Sequence, residues 1–421
     1  MLLERSVVGD DHAAAAATAR ALAPAPESVS VVVAEIVAAV RDGGDAALRE
    51  LVSRHDLGGA APPESLRVDP SGADAELDAE VRAGLEVAIT NVAIVADAGA
   101  GGDVTVDLPQ GHRVVLREVP VRRAAIYVPG GRAPYPSTVV MGVVTARAAG
   151  VEEVVVLTPP EIHPVILGAC ALCGVSEVYA MGGAHGVAAL AHGTEFIERA
   201  DVIAGPGSLI VQEAKRQVSD VVGIDGFYGP SDVLVLCDGT ADARLVALDL
   251  LAQGEHGPGA PVVAVSDDLA VLDAIAEQLE QLAPDRPASD PAAFVLAHAA
   301  ALGDALAFAD AFAPEHLELV GAQAEQLAGR VRAAGCVFVG RSGATAFGDY
   351  VAGSNHCLPS GGAARFGSGL SPRHFRRRMS EVHVGAAAAP LAAAGAPIAR
   401  AEGFVVHAES MEARVGENPR S

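Results

Sequence analysis

The chain has no tryptophan and only ten phenylalanines and five tyrosines in 421 residues. Its apolar fraction of 51% is therefore mostly Ala, Val and Leu, which build cores by close approach of small side chains. Basic residues are also scarce: 29 Lys+Arg against 53 Asp+Glu give 29 − 53 = −24. A nucleic-acid binder needs a basic face, so this balance excludes a general polyanion partner and favours a small ligand or a cofactor held by backbone groups. Five cysteines, at 170, 173, 237, 336 and 357, are odd in number and scattered, which excludes a disulfide framework. Cys170 and Cys173 form a C-x-x-C inside an apolar helical run with no second pair, a pattern of buried structural thiols. No run of about 20 strongly apolar residues is present, and the nearest candidate, 385–399, is broken by Pro390 and Pro397. Glu4, Asp10 and Asp11 contradict the cationic start of a signal peptide, so a cytoplasmic protein without membrane contact is expected.

At this length a single core stops growing, and more than one domain is expected. Residues 13–26 are Ala- and Pro-rich and read as a leading helix and linker, while 29–40 and 76–98 carry helical apolar spacing. From Arg113 the texture changes. Strand patterns at 123–128, 153–157, 177–180 and 201–204 alternate with helical ones at about 137–149, 164–173, 184–191 and 208–219. After a break near 224–231 the alternation resumes, with strands at 233–237, 261–266, 293–297, 317–320 and 336–340 and helices at 241–251, 269–282, 305–312 and 322–332. This alternation predicts an α/β protein of two Rossmann-like, doubly wound parallel-sheet domains with small helical N- and C-terminal extensions. The basic cluster Arg373, Arg376, Arg377 and Arg378 precedes an Ala-rich helix and a terminal arm, 398–415, that is short of core partners in its own chain.

Three strand ends run into glycine turns: Val128-Pro-Gly-Gly131, Met181-Gly-Gly-Ala-His185-Gly and Gly205-Pro-Gly-Ser208. Each aims backbone N–H groups at a helix N-terminus, where phosphate is favoured, although each also reads as a plain βα turn. None is a full G-x-G-x-x-G; Ile210 stands where the third glycine of the last turn belongs.

The polar residues concentrate in the second half. Gln253 and His256, three apart on a helical run, share a face and offer either a two-point metal grip or ordinary surface polarity. Glu315 and His316 stand just before a strand; at the C-terminal mouth of an α/β sheet they would form a general acid/base pair, and otherwise a solvated turn. Asp349 and His356 lie on a glycine-rich loop, and Glu402 and His407 are five apart on the terminal arm. Gln, His, Asp and His together would suit Zn²⁺.

In order and spacing, Y-V-P-G-G-R-A-P-Y-P-S-T-V-V-M (127–141), G-P-G-S-L-I-V-Q-E-A-K-R (205–216), G-P-S-D-V-L-V (229–235), Q-G-E-H-G-P (253–258), A-P-E-H-L-E (313–318) and G-D-Y-V-A-G-S-N-H-C-L-P (348–359) resemble the histidinol dehydrogenase family. The resemblance covers roughly residues 30 to 415. It implies NAD-linked, zinc-dependent oxidation of L-histidinol through the aldehyde to L-histidine, by a homodimer with shared active sites. A related zinc- and NAD-dependent dehydrogenase of another small amino alcohol or polyol is the alternative. The implied zinc ligands are Gln253, His256, Asp349 and a partner chain's copy of residue 407. Glu315 and His316 match the acid/base pair. Ser231, His356 and Glu402 match substrate contacts, along with Gln253, His256, His316, Asp349 and His407. Tyr127, His185 and Ser208 match cofactor contacts, with His185 standing where the family usually has Gln, Ser208 where it has Asn, and Gly254 where it has Ala. The domains implied are a helical segment 1–25; a first α/β domain of 26–124 and 232–370 with most metal and catalytic residues; a cofactor-side domain 125–231; and a helical arm 371–421 exchanged between subunits.

Overall fold

The computed structural model describes residues 2–21, 29–130, 133–226, 231–257, 261–289 and 292–416. In chain order the first elements are β1 (Leu2–Val8), α1 (His12–Arg20), α2 (Ser30–Leu51), β2 (Arg67–Val68), α3 (Ala79–Gly99), β3 (Val104–Asp107) and β4 (Arg113–Pro120). There follow β5 (Arg123–Tyr127), α4 (Pro136–Ala148), β6 (Glu153–Thr158), α5 (Pro164–Leu172), β7 (Val178–Ala180), α6 (Gly183–His192), β8 (Val202–Ala204), α7 (Leu209–Gln217) and β9 (Gly223–Ile224). The next group is β10 (Val233–Cys237), α8 (Ala243–Gly254), β11 (Pro261–Ser266), α9 (Leu269–Leu282), β12 (Ala293–Ala299), α10 (Leu302–Phe312), β13 (His316–Val320) and β14 (Cys336–Val339). The chain closes with α11 (Thr345–Tyr350), β15 (Arg376–His383), α12 (Ala388–Ala401) and α13 (Val405–Glu412).

Two compact units result, one of residues 1–99 and 121–375 and one of 100–120 and 376–421. The larger unit holds two six-stranded sheets, ordered β2-β7-β6-β5-β8-β9 and β1-β12-β11-β10-β13-β14. Apart from the antiparallel β2–β7 edge, neighbouring strands are parallel, and in each sheet the strand order reverses beside a central strand, β5 or β10. These are the two doubly wound sheets the βα alternation predicts. Their central strands are buried at every residue, as expected where helices cover both faces. Proline opens α4 and α5, and Asp242 and Asp268 accept backbone N–H groups at the starts of α8 and α9, so the sequence itself marks where these helices begin.

The structure changes several boundaries. The segment 1–25 does not begin as a helix: β1 lies parallel beside β12 as an edge strand, because the alanine run starts only after Asp11 caps α1, and residues 22–25 lie outside those described. The pairing of 26–124 with 232–370 does not hold for the long helices. Val33, Ile36, Val37 and Val40 of α2 pack on one face of the β5-centred sheet, and Leu85, Ala88 and Val92 of α3 on the other, because these stripes find the Val/Ala face of 123–224. The predicted helix 322–332 is a short 3₁₀ turn, Glu325–Arg330, which ends where Val331 turns extended and the Asp310 carboxylate takes the N–H groups of Arg332 and Ala333. Residue 131 of the first glycine turn and Pro258 lie outside the described residues. The C-x-x-C thiols are free, and burial pushes Cys173 up to about 12, which makes both structural.

The smaller unit is not purely helical. The basic cluster continues into β15, antiparallel to β4, which pairs in turn with β3, and Arg378 meets Glu118 across that sheet. α12 and α13 pack on each other through Ala396, Ala399 and Ala408.

In the larger unit α7 is tied to α2 through Glu213, which accepts from Ser30 Oγ at 2.8 Å, Gln217 Nε2 at 2.7 Å and Arg216 Nε at 2.7 Å. Arg216 above all holds this carboxyl down to about 2, so its contribution is complete above pH 4.5 and is lost as pH falls towards 2. Glu213→Gln should cost about 1 kcal/mol after solvent screening. Urea denaturation from pH 7 to pH 3 should show the gap between the two proteins narrowing below pH 4.5; a pH-independent gap contradicts the assignment.

Candidate active site and cofactor turns

Asp232 lies just before β10 and is fully buried. An ionised carboxylate there needs donors. Arg20, the last residue of α1, supplies one at 3.0 Å, Glu315 N another at 2.7 Å, and Gly361 N a third at 3.4 Å. Burial still raises the acid above its usual range. The same guanidinium stacks over the Phe312 ring at 3.9 Å and donates to the Phe312 carbonyl, holding the end of α10 where Ala313 turns at φ 49°. The Glu315–His316 dipeptide is thereby fixed on both sides.

His316 opens β13, so the pair stands at the N-terminal edge of its sheet, not at the C-terminal mouth: both residues precede the strand that carries them. His316 N–H bonds Asp232 O at 3.2 Å, and Nδ1 faces the same carbonyl at 3.3 Å. With Nδ1 carrying the proton, Nε2 keeps its lone pair and faces Asp349 Oδ1 at 3.6 Å. Burial lowers His316 to about 3, aided by repulsion from His256 and His356, so the imidazole is neutral at pH 7. Glu315 is buried and pushed well above the usual carboxyl range, first by desolvation and then by the nearby Asp232 and Asp349 carboxyls.

Gln253 is buried near the end of α8, and its Nε2 donates to Ser231 Oγ at 2.8 Å, which leaves Oε1 free to accept or to bind a cation. His256 is exposed two residues beyond the helix, with Glu255 as its cap. The shared helical face read from the spacing of three is therefore not what relates them: the helix stops between them. Asp349, on α11, is raised to about 6 by desolvation. A carboxylate stripped of water in this way is suited to a cation. His356 accepts from Thr138 Oγ1 at 3.1 Å while its Nδ1 donates to Asp349 O at 2.9 Å, and burial lowers it to about 4. Asn355 Nδ2 reaches Met141 O and Thr145 Oγ1, both at 3.0 Å, so this loop joins β13–α11 to α4 of the other sheet.

The structure thus brings together Ser231, Gln253, Glu315, His316, Asp349 and His356, with His256 close enough to repel His316 and His356. Among the described residues no three His, Cys, Asp or Glu converge to hold a metal. An amide oxygen from Gln253, an imidazole from His256 and the Asp349 carboxylate nevertheless give a mixed N/O set that fits Zn²⁺. Glu402 caps the end of α12 and His407 lies on α13, both exposed in the smaller unit, where the His407 ring packs 5.2 Å from Phe404.

The glycine turns lie at the C-terminal edge of the β5-centred sheet, at the strand-order reversal between β5 and β8, the kind of place where doubly wound sheets bind dinucleotides. Gly205 has φ 121°, and a Cβ there would stand 2.2 Å from Tyr127 O. Buried Lys215 donates to Gly205 O at 2.8 Å and pairs with Asp225, which also accepts Gly205 N. Ser208 sits at the start of α7, exposed, with its hydroxyl making no cap. Tyr127 and His185 are both buried. The tyrosine hydroxyl accepts Gly183 N at 3.2 Å, and His185 Nε2 meets Asp56 Oδ2 at 2.8 Å, an oxygen that also accepts Gly182 N. His55 stacks on His185 at 6.0 Å. Sequence reading missed Arg20, Asp56, Thr138 and Asp232. Only Asp232, next to Ser231 and just ahead of an unbroken apolar strand, carried a local signal.

A family profile described as histidinol dehydrogenase matches residues 22–415. Histidinol dehydrogenase of Aromatoleum aromaticum is 40% identical over 400 residues, 92% of this chain and 91% of that protein. The Pseudomonas aeruginosa enzyme of the same name is 40% identical over 406 residues, covering 92% and 91%. The crystal structure of histidinol dehydrogenase from Elizabethkingia anophelis superposes with a TM-score of 0.90 at 29% identity, covering 99% and 98%.

Arg20→Met keeps an apolar stem over Phe312 but leaves Asp232 without its counter-charge. It should cost about 3 kcal/mol in chemical denaturation, as breaking a buried pair does. A loss below about 1 kcal/mol, the range of an exposed ion pair, would show that Arg20 is not the clamp.

Proposed function

We propose, from the premise that the chain belongs to the histidinol dehydrogenase family, that this oxidoreductase carries out the zinc- and NAD-dependent conversion of L-histidinol to L-histidine in two oxidations. The observation that carries the reading is the convergence of Glu315, His316, Gln253 and Asp349 on one polar cluster, joined through His356 and Thr138 to a second sheet whose glycine turns sit at its strand-order reversal. Gln253, His256, Asp349 and His407 of the partner subunit would hold the metal. When bound, zinc lends positive charge to the substrate's hydroxyl and amino groups, and NAD⁺ takes the hydride.

The remaining chemistry belongs to the chain. His316 Nε2 accepts the alcohol proton as hydride leaves the carbon, and Asp232 O steadies the imidazolium through Nδ1–H. Glu315, held by Asp232 at its backbone N–H, takes a proton from the water that adds to the aldehyde, and loss of a second hydride, to a second NAD⁺, would give the acid. The raised Glu315 must ionise for this step, which the positive charge of a bound cation and a cationic substrate favours. Ser231 fixes the Gln253 amide, and His356 closes the wall towards α4. Tyr127 and His185 act on the cofactor side by shaping the turn at Gly182–Gly183, and Ser208 offers its unengaged hydroxyl at the head of α7.

The terminal arm supports a homodimer. Ile398, Phe404, Val405 and Val406 are exposed apolar residues around Glu402 and His407, and a second subunit would cover them. No helix among the described residues is long and apolar enough to cross a membrane.

NADH formation from L-histidinol should be lost on chelation and restored by zinc; turnover only of other amino alcohols or polyols would select the related-dehydrogenase alternative. His316→Asn should lower the first oxidation and Glu315→Gln mainly the oxidation of supplied aldehyde, each by about 10²-fold or more; equal losses in both steps would reject this division of labour. A mixture of inactive His407→Ala and His316→Asn chains should regain activity on re-pairing, because shared sites leave one intact site per mixed dimer.

A further inference from the structure

Glu318 is the last residue of the A-P-E-H-L-E motif and has no part in the chemistry above. It lies in the middle of β13, fully buried, two residues beyond His316 and on the same side of the strand. An acidic side chain in a Val/Ala sheet core costs free energy unless it is partnered. Its Oε1 accepts Thr345 N at 2.8 Å and the Thr345 hydroxyl. Thr345 is the first residue of α11, whose preceding residue, Ala344, has no side chain able to cap it. Glu318 therefore caps from across the sheet the helix that carries Asp349. Its Oε2 has no donor and faces the carboxyl of Asp249. Asp249 is half-buried on α8, one turn before Gln253. Two neighbouring carboxyls withdrawn from water favour holding one proton over carrying two charges, and burial together with the Asp249 carboxyl raises Glu318 accordingly.

We propose that the Asp249–Glu318 pair is a positioning device: it ties α8, β13 and α11 together and so sets the spacing among Gln253, His316 and Asp349. The pair touches no reacting atom. Its consequence for metal binding rests on the ligand assignment made above; its consequence for the order of α8 and α11 does not.

The test uses full-length protein and four variants, with zinc affinity measured by competition against a chelating dye and amide hydrogen exchange followed over 243–254 and 345–350. Glu318→Leu, which removes both contacts, should weaken zinc binding by about tenfold or more, as loss of a ligand's supporting partner does. It should also speed exchange across 345–350 and lower kcat more than it alters KM. Glu318→Gln and Asp249→Asn keep one donor and one acceptor in the pair, and should restore affinity and protection to near the wild-type values. Asp249→Ala leaves the Thr345 cap intact and should loosen 243–254 alone, so it decides the matter if Glu318→Leu fails to fold. Wild-type exchange and zinc affinity in Glu318→Leu, or in Asp249→Ala when that variant stands in, overturns the proposal. A wild-type protein that binds no zinc refutes the metal assignment instead, and the exchange arm still tests the pair.

Discussion

The buried contact between Arg20 and Asp232 is the constraint on which the rest of the site depends. One carboxylate, wholly removed from water, receives the guanidinium of α1, the backbone N–H of Glu315 and the backbone N–H of Gly361. It thereby gathers three segments far apart in sequence around the first residue of β13. A buried charge with one partner would be a liability; with several donors it becomes a fixed point, because each element must be correctly placed for the carboxylate to be satisfied. The same residue's carbonyl faces His316 Nδ1, so one position holds both Glu315 and His316.

The architecture then explains the division of the site. Two doubly wound sheets present opposite edges to it: the β5 sheet its C-terminal edge, with glycine turns and helix starts, and the β10 sheet its N-terminal edge, with Ser231, Asp232, Glu315 and His316. The loop 355–357 and α4 join them through Thr138, Thr145 and Met141. A phosphate at these turns would be met by backbone dipoles rather than by lysines, so the net charge of −24 does not stand against the proposed dinucleotide. The single buried lysine near those turns, Lys215, is engaged by Gly205 O and Asp225.

Much of this was legible in the chain. The strands 233–237 and 261–266 and the helix 269–282 fall where hydrophobic periodicity and Asp caps place them, since period and cap are local properties. The motifs located most residues of the cluster. What failed was non-local. β1 is a strand because β12 offers it an edge, and 322–332 stops as a short 3₁₀ turn because Asp310 claims the N–H groups of Arg332 and Ala333. The relation of Gln253 to His256 was misread because spacing describes a helix only for as long as the helix lasts.

The sequence by itself determined the βα alternation, the reduced thiols, the net acidity and the set of chemically able side chains, because composition and short-range order decide these. Only the tertiary structure decided the edge of the sheet on which Glu315 and His316 stand, the partners Arg20, Asp56 and Thr138, and the shifts that make His316 a free base and Glu315 a reluctant acid. The physical reason is that a side chain's proton affinity follows from what surrounds it, and in this fold the surroundings come from segments tens to hundreds of residues away.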